Sequence, residues 1–349
     1  MQSNNSIKVI AQGTYGCVLY PGPKCSGKAT SKKYITKIQK LNTISRRETV
    51  IGEKIKKIKN YNRYFAPVIE TCNVSLSIIN DEELDKCDFL DPADKTDAYE
   101  SNQIKYVGKN NIFDYFGEKM LSTANPKLFM EKLANSHIIL LNGIQMLYSI
   151  GIIHFDIKKN NILCRDTTGR PIIIDFGLSF DIAQFEQEDY NYSKSFGIYG
   201  PEYGPWCIDI CFLTYMATKR GTDWQTKQVT MLEMEKIIKD FMKQNTAITE
   251  LANAEEQSMF KQKLMNYFSQ FDRTTWKNVL DELLKYSGTW DNYSLVVVYL
   301  QMFKDLDLEM YESYSYIGEY KKILKQILLS MPNERMNITD TIAKISGIQ

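Results

Sequence analysis

Apolar residues recur along this chain at helical and strand periods, and their order lays out its elements. Ile44, Ile51, Ile55 and Ile58 share one stripe at about 100° per residue. Glu48 falls on that stripe, which predicts an amphipathic helix with one carboxylate turned inward, whereas Glu53 points nearly opposite, among Lys54, Lys56 and Lys57. Ile138, Leu141, Ile144, Leu147 and Tyr148 predict a second helix, ending near Gly151, and Met231, Met234, Ile237, Ile238 and Phe241 predict a third. Tyr34-Ile35-Thr36-Lys37-Ile38 reads as a strand with Ile35 and Lys37 on one face. Phe65–Ile69 and Ser101–Ile104 are further strand candidates. Ile162-Leu163-Cys164 and Pro171-Ile172-Ile173-Ile174 flank a connection with Asp166 near its start and Gly169 near its end, which predicts a hairpin.

At 349 residues, a formal net charge of +1 and 44% apolar content, the chain reads as a water-soluble globular protein with a sizeable core. Neither a nucleic-acid binder nor a disordered tail is expected. There is no run of eighteen apolar residues, and Met1-Gln2-Ser3-Asn4-Asn5 lacks the apolar core of a signal peptide, so no membrane segment is expected. Seven scattered cysteines, an odd number, suggest free thiols in a reducing, cytoplasmic compartment. With only His137 and His154 and no C-x-x-C, a structural zinc site is not expected. The acidic, turn-rich stretch from Asp81 to Glu100 reads as an exposed loop insertion.

The densest chemistry lies at residues 154–161, His-Phe-Asp-Ile-Lys-Lys-Asn-Asn, followed fourteen residues later by Asp175-Phe176-Gly177. Phosphoryl transfer needs one carboxylate to orient a hydroxyl and oxygen ligands to hold Mg²⁺ on the phosphates. Near the N-terminus, Ile10-Ala11-Gln12-Gly13-Thr14-Tyr15-Gly16-Cys17-Val18 supplies a turn whose glycines would let backbone N–H groups approach phosphate, although an ordinary hairpin turn fits it about as well.

Together these segments resemble the glycine-rich loop, catalytic loop and D-F-G motif of eukaryotic-type serine/threonine protein kinases, over roughly residues 8–345. The composition, rich in lysine, isoleucine, asparagine and tyrosine, is similar to that of the divergent kinases of large DNA viruses. The resemblance implies an α+β, bilobal fold, with a small β-rich N-lobe over residues 8–107 and a larger, mainly helical C-lobe over 108–345 carrying a helical insertion at about 206–288. It implies ATP and Mg²⁺ as cofactors and a protein substrate with a Ser or Thr acceptor. Asp156 would orient the acceptor hydroxyl and Lys158 would steady the transferred group, while Asn161 and Asp175 would bind the metal. Lys37, paired with Glu48, would fix the nucleotide, with Ile10, Gly13, Gly16, Val18, Ile35 and Leu163 around it; the bland reading of Lys37 is a solvated lysine in a basic stretch.

Departures from the family pattern keep two alternatives open, a pseudokinase scaffold and a small-molecule kinase of related fold. Ala11 replaces the first glycine, Gly52 stands where an apolar side chain usually packs on the D-F-G phenylalanine, and Phe155 replaces the arginine before the catalytic aspartate. That last change predicts weak dependence on phosphorylation at Tyr190, Tyr192, Ser193 or Ser195. Gly200-Pro201-Glu202 is similar to A-P-E, which suggests a Glu202–Arg335 pair. Asp209 and Asp291 compete for the start of the core helix, and Asp291 is preferred because Asp291-Asn292-Tyr293-Ser294-Leu295 runs into an apolar stretch.

Overall fold

Alternation in the first hundred residues folds into an antiparallel sheet of five strands: β1 (Lys8–Gly13), β2 (Gly16–Tyr20), β3 (Tyr34–Lys40), β4 (Val68–Val74) and β5 (Tyr99–Lys105), in the order β1-β2-β3-β5-β4. The structure is a computed structural model that describes residues 7–13, 16–25, 30–40, 43–90, 99–121, 125–187, 190–219, 221, 223–308 and 315–348. The chain divides into two units, Met1–Asn110 with Leu163–Phe180, and Asn111–Ile162 with Asp181–Gln349. Residues 163–180, assigned above to the helical part, thus group with the sheet. The reason is packing: Pro171–Ile174 pairs in parallel with Phe65–Ala66, and Ile172 is fully buried against Ala66, Val68, Ile104 and Val107.

In the first unit the register sets Lys37 opposite Val18 on one side and Asn102 on the other. The two faces then differ, as a period of two requires. Cys17, Leu19, Ile38 and Tyr99 pack on Leu76, Ile79, Leu84, Cys87 and Leu90, while Ile35 packs with the Ala66–Ile172 cluster, beside Leu163 and Ile174. Helix α1 (Thr43–Lys56) lies on β4. Gly52 is explained there: a Cβ at this position would meet the Val68 carbonyl oxygen at 2.9 Å. Any side chain at 52 pushes α1 away from the sheet.

Two expectations fail in this unit. The stretch beginning at Asp81 is not simply an exposed loop. Residues 81–90 carry a short helix capped by Asn80, and Leu84, Cys87 and Leu90 are buried. Its apolar residues are spaced among acids, so charge density masked them; residues 91–98 lie outside the described residues. Nor are the cysteines all free thiols. Cys17 is bonded to Cys87 and Cys25 to Cys72, at sequence separations of 70 and 47, while Cys164, Cys207 and Cys211 are unbonded. Such long-range pairs carry no spacing signature. The odd total of seven therefore hid four paired residues, and the ground for a reducing compartment is removed.

The second unit is helical. Helix α2 (Pro126–Ser149) starts at an Asn125 cap and ends before Gly151, whose φ of 78° turns the chain. Segment 206–288 contains α3 (Ile208–Lys219), α4 (Met231–Gln244), α5 (Thr246–Leu251), α6 (Ala254–Phe268) and α7 (Trp276–Leu284). Capping boxes Thr230/Glu233 and Asn253/Glu256 start α4 and α6, and Phe212 stacks on Phe268 at 3.8 Å between ring centroids. Helix α8 (Trp290–Asp305) is buried along most of its length and packs on α2 and on α9 (Ser315–Leu328); α10 (Ile338–Ser346) packs on α2. No helix among the described residues is long and apolar enough to cross a membrane.

Candidate active site

The candidate residues gather in two clusters, one in each unit. In the first, Lys37 Nζ donates to Glu48 Oε2 at 3.0 Å and to Asp175 Oδ1 at 3.2 Å. Strand alternation delivers Lys37, and the apolar stripe of α1 delivers Glu48, which is 2% exposed. Burial opposes the Lys37 charge, but the two carboxylates outweigh it and hold the ammonium above its ordinary value. Burial pushes Glu48 up, against the pull of Lys37. Glu53, by contrast, pairs with Lys56 at the surface. Asp175 has a φ of 62°, a strained conformation for a residue with a Cβ, and Gly177 N donates to its Oδ1 at 3.4 Å. The next residue, Phe176, is buried edge-on against Phe65 at 6.2 Å. Phe65 thus supplies an aromatic wall for Phe176, and Gly52 is committed to Val68.

Gly16 is held by the sheet itself, since a Cβ there would run into the Ile38 carbonyl, whereas a Cβ at Gly13 would make an ordinary contact of 3.8 Å with the Gly16 carbonyl oxygen. Thr14 and Tyr15 between them lie outside the described residues. Val18 and Ile35 are half-buried, Leu163 like Ile35 packs on the Ala66–Ile172 cluster, and Ile10 is exposed.

In the second unit, Asp156 is the hub. Asn161 Nδ2 donates to its backbone oxygen at 2.9 Å and to Oδ2 at 2.8 Å, and Lys158 Nζ lies 2.9 Å from Oδ2. Asp291, at the start of α8, accepts from the backbone N–H of His154 at 2.7 Å and of Phe155 at 2.9 Å. Burial raises its carboxyl above the ordinary value. Asp291 therefore braces the catalytic-loop backbone. Phe155, at φ 68°, is buried among Phe196, Trp206 and Trp290. An aromatic cluster thus occupies the place of the arginine. Around it, Tyr190, Tyr192 and Ser195 are buried, and only Ser193 of the four suggested phosphorylation sites is exposed.

The Glu202–Arg335 pair is not formed. Arg335 meets Asp209 instead, Nη2 to Oδ1 at 2.8 Å and Nη1 to Oδ2 at 3.0 Å, with both side chains fully buried. Glu202 is exposed. A guanidinium buried in the helical core demands a buried carboxylate, and Asp209 on α3 supplies it. The two aspartates thus divide the work, Asp291 at the catalytic loop and Asp209 at Arg335. One contact escaped the sequence reading: Tyr203 Oη donates to Asp156 Oδ1 at 2.5 Å. No local motif marks it.

The profile of the family described as "Protein kinase domain" matches residues 5–344. The chain belongs to the protein kinase family. Among curated proteins it is similar to "Ribosomal protein S6 kinase 2 beta" of Xenopus laevis, 29% identical over 117 residues. That match covers 34% of this chain and 16% of the relative's length. A β-rich unit and a helical unit are what a bilobal protein kinase fold requires, and ATP and a divalent metal are the cofactors of the family. Each unit presents an oxygen donor of the kind such a metal takes. Asn161 commits Nδ2 to Asp156 and so offers Oδ1, and Asp175 is a carboxylate beside the Lys37 ammonium.

Proposed function

We propose that this protein kinase transfers the γ-phosphoryl group of ATP to Ser or Thr hydroxyls of protein substrates. The observation that carries the reading is the pair of intact clusters, Lys37–Glu48–Asp175 and Asp156–Lys158–Asn161, each held at hydrogen-bond distance. Lys37 binds the α- and β-phosphates, pre-set by Glu48, under the Gly13–Gly16 turn, with Ile10, Val18, Ile35 and Leu163 against the base. Asp175 and Asn161 would supply oxygen ligands to Mg²⁺, which would neutralise phosphate charge. Asp156 accepts a hydrogen bond from the acceptor hydroxyl and aims it at phosphorus, and Lys158 steadies the transferred group. Catalysis is then positioning and charge stabilisation. A lysine two residues after the aspartate supports a Ser/Thr acceptor, and the similarity to a kinase named for a ribosomal protein supports a protein substrate. In composition the chain resembles the divergent kinases of large DNA viruses.

A radiolabel-transfer assay on a peptide array, with ATP and Mg²⁺, tests this. The wild-type chain is expected to label serine and threonine peptides, and Asp156→Asn to lower kcat about 10²-fold or more. Equal labelling by both proteins, or labelling of small molecules alone, refutes it.

A further inference from the structure

Between the activation segment and α3 the chain makes a tight loop whose carbonyls are almost all engaged. Glu202 O accepts from Thr246 N at 3.3 Å, and Tyr203 O and Trp206 O accept from Asn245 Nδ2 at 3.1 and 3.3 Å. Pro205 O accepts from Ser294 Oγ at 2.6 Å. Gly204 sits so close to Thr246 and Ala247 that a Cβ would collide with them. Asn245 is 1% exposed, and its Oδ1 caps α5 by accepting from Ile248 N. Trp206 is fixed in turn, its indole N–H donating to Phe155 O at 3.0 Å. Segment 206–288 therefore does more than pack a core: it immobilises the loop that carries Tyr203.

The Tyr203 ring stands edge-on to Trp206, centroids 5.1 Å apart at 79°, and its hydroxyl reaches Oδ1 of Asp156. With Asn161 and Lys158 on Oδ2, both carboxylate oxygens are held. We propose that Tyr203 positions the Asp156 carboxylate and restricts the acceptor to an aliphatic hydroxyl. A carboxylate oxygen has two lone pairs, so Oδ1 can keep the Tyr203 bond and still receive a substrate hydroxyl. A serine or threonine hydroxyl stands one carbon from its backbone and needs little room. A tyrosine acceptor must bring a second ring to the same oxygen, where the immobilised ring of Tyr203 already stands. Burial, with Asp156 beside it, pushes the phenol well above its ordinary value, so it stays a donor.

This rests on the phosphoryl-transfer reading, and two variants separate them. Tyr203→Phe keeps the ring and removes the hydroxyl. Its kcat on a serine peptide is expected to fall about 10- to 100-fold, with KM for ATP and peptide and the unfolding temperature little changed. Tyr203→Ser keeps a hydroxyl and removes the ring, and is expected to raise the tyrosine-to-serine labelling ratio at least about tenfold. An unchanged kcat in Tyr203→Phe refutes the positioning role, and an unchanged acceptor ratio in Tyr203→Ser refutes the selective one. A wild-type chain that labels no peptide refutes the kinase reading itself, and this proposal with it.

Discussion

Cys17, the residue after the second glycine of the N-terminal turn, is disulfide-bonded to Cys87 in the segment that follows the sheet's fourth strand. The same segment reaches β1 twice more: Val9 N donates to Glu83 Oε2 at 2.8 Å, and the Gln12 amide exchanges hydrogen bonds with Asp88 at 3.0 and 3.1 Å. Both strands of the glycine turn are therefore tied to residues 83–88. Cys17→Ser with Cys87→Ser is expected to cost about 2–4 kcal/mol, because a long loop in the unfolded chain is no longer closed. Its KM for ATP should rise as the turn loosens. Thermal unfolding with and without reductant, and ATP titration of the double variant, check both. Identical unfolding temperatures in the two conditions refute the first.

Lys37 and Glu48 make a separate prediction. Glu48→Gln retains the shape but removes one of the two charges that together outweigh Lys37 desolvation. Its kcat/KM for ATP is expected to fall about tenfold or more, since nucleotide positioning needs both members. Steady-state kinetics decide it, with Glu53→Gln as the control that changes nothing.

Arg335 and Asp209 form a fully buried pair, and breaking one partner leaves an uncompensated charge. Asp209→Asn should destabilise by about 3–5 kcal/mol, whereas Glu202→Ala should stay within about 0.5 kcal/mol. Denaturant unfolding of the two variants checks the contrast.

His137 on α2 stacks on Tyr299 at 4.1 Å and bonds the Tyr320 hydroxyl through Nδ1 at 2.7 Å. Burial lowers it from 6.5 to about 3. Between those values the unfolded chain binds a proton that the folded one refuses, so stability present above about 6.5 is lost as pH falls towards 3. The full loss is on the order of 4 kcal/mol. His137→Leu should flatten the difference between urea unfolding at neutral pH and in mild acid.

Phe155 stands in the arginine's place within an aromatic cluster, and Tyr190 Oη and Ser195 Oγ bond each other at 2.6 Å. Phosphatase treatment is therefore expected to leave activity within about twofold, given that ordering by phosphate works through arginine pairs. A tenfold loss refutes this.

Much was readable along the chain because its signals are local. The helices of residues 44–58 and 138–148, the hairpin around Gly169 and the inward face of Glu48 follow from period and turn chemistry within a few residues of each position. The order of acids, lysines and glycines carried the family. Contacts between residues far apart in sequence did not show, because apolar period and residue spacing say which face is buried but not what covers it. Folding alone decided that Cys17 finds Cys87 across 70 residues, that Arg335 takes Asp209 across 126 rather than Glu202, and that Tyr203 lands on Asp156 across 47. The sequence pointed to the candidate groups; close packing in three dimensions chose their neighbours.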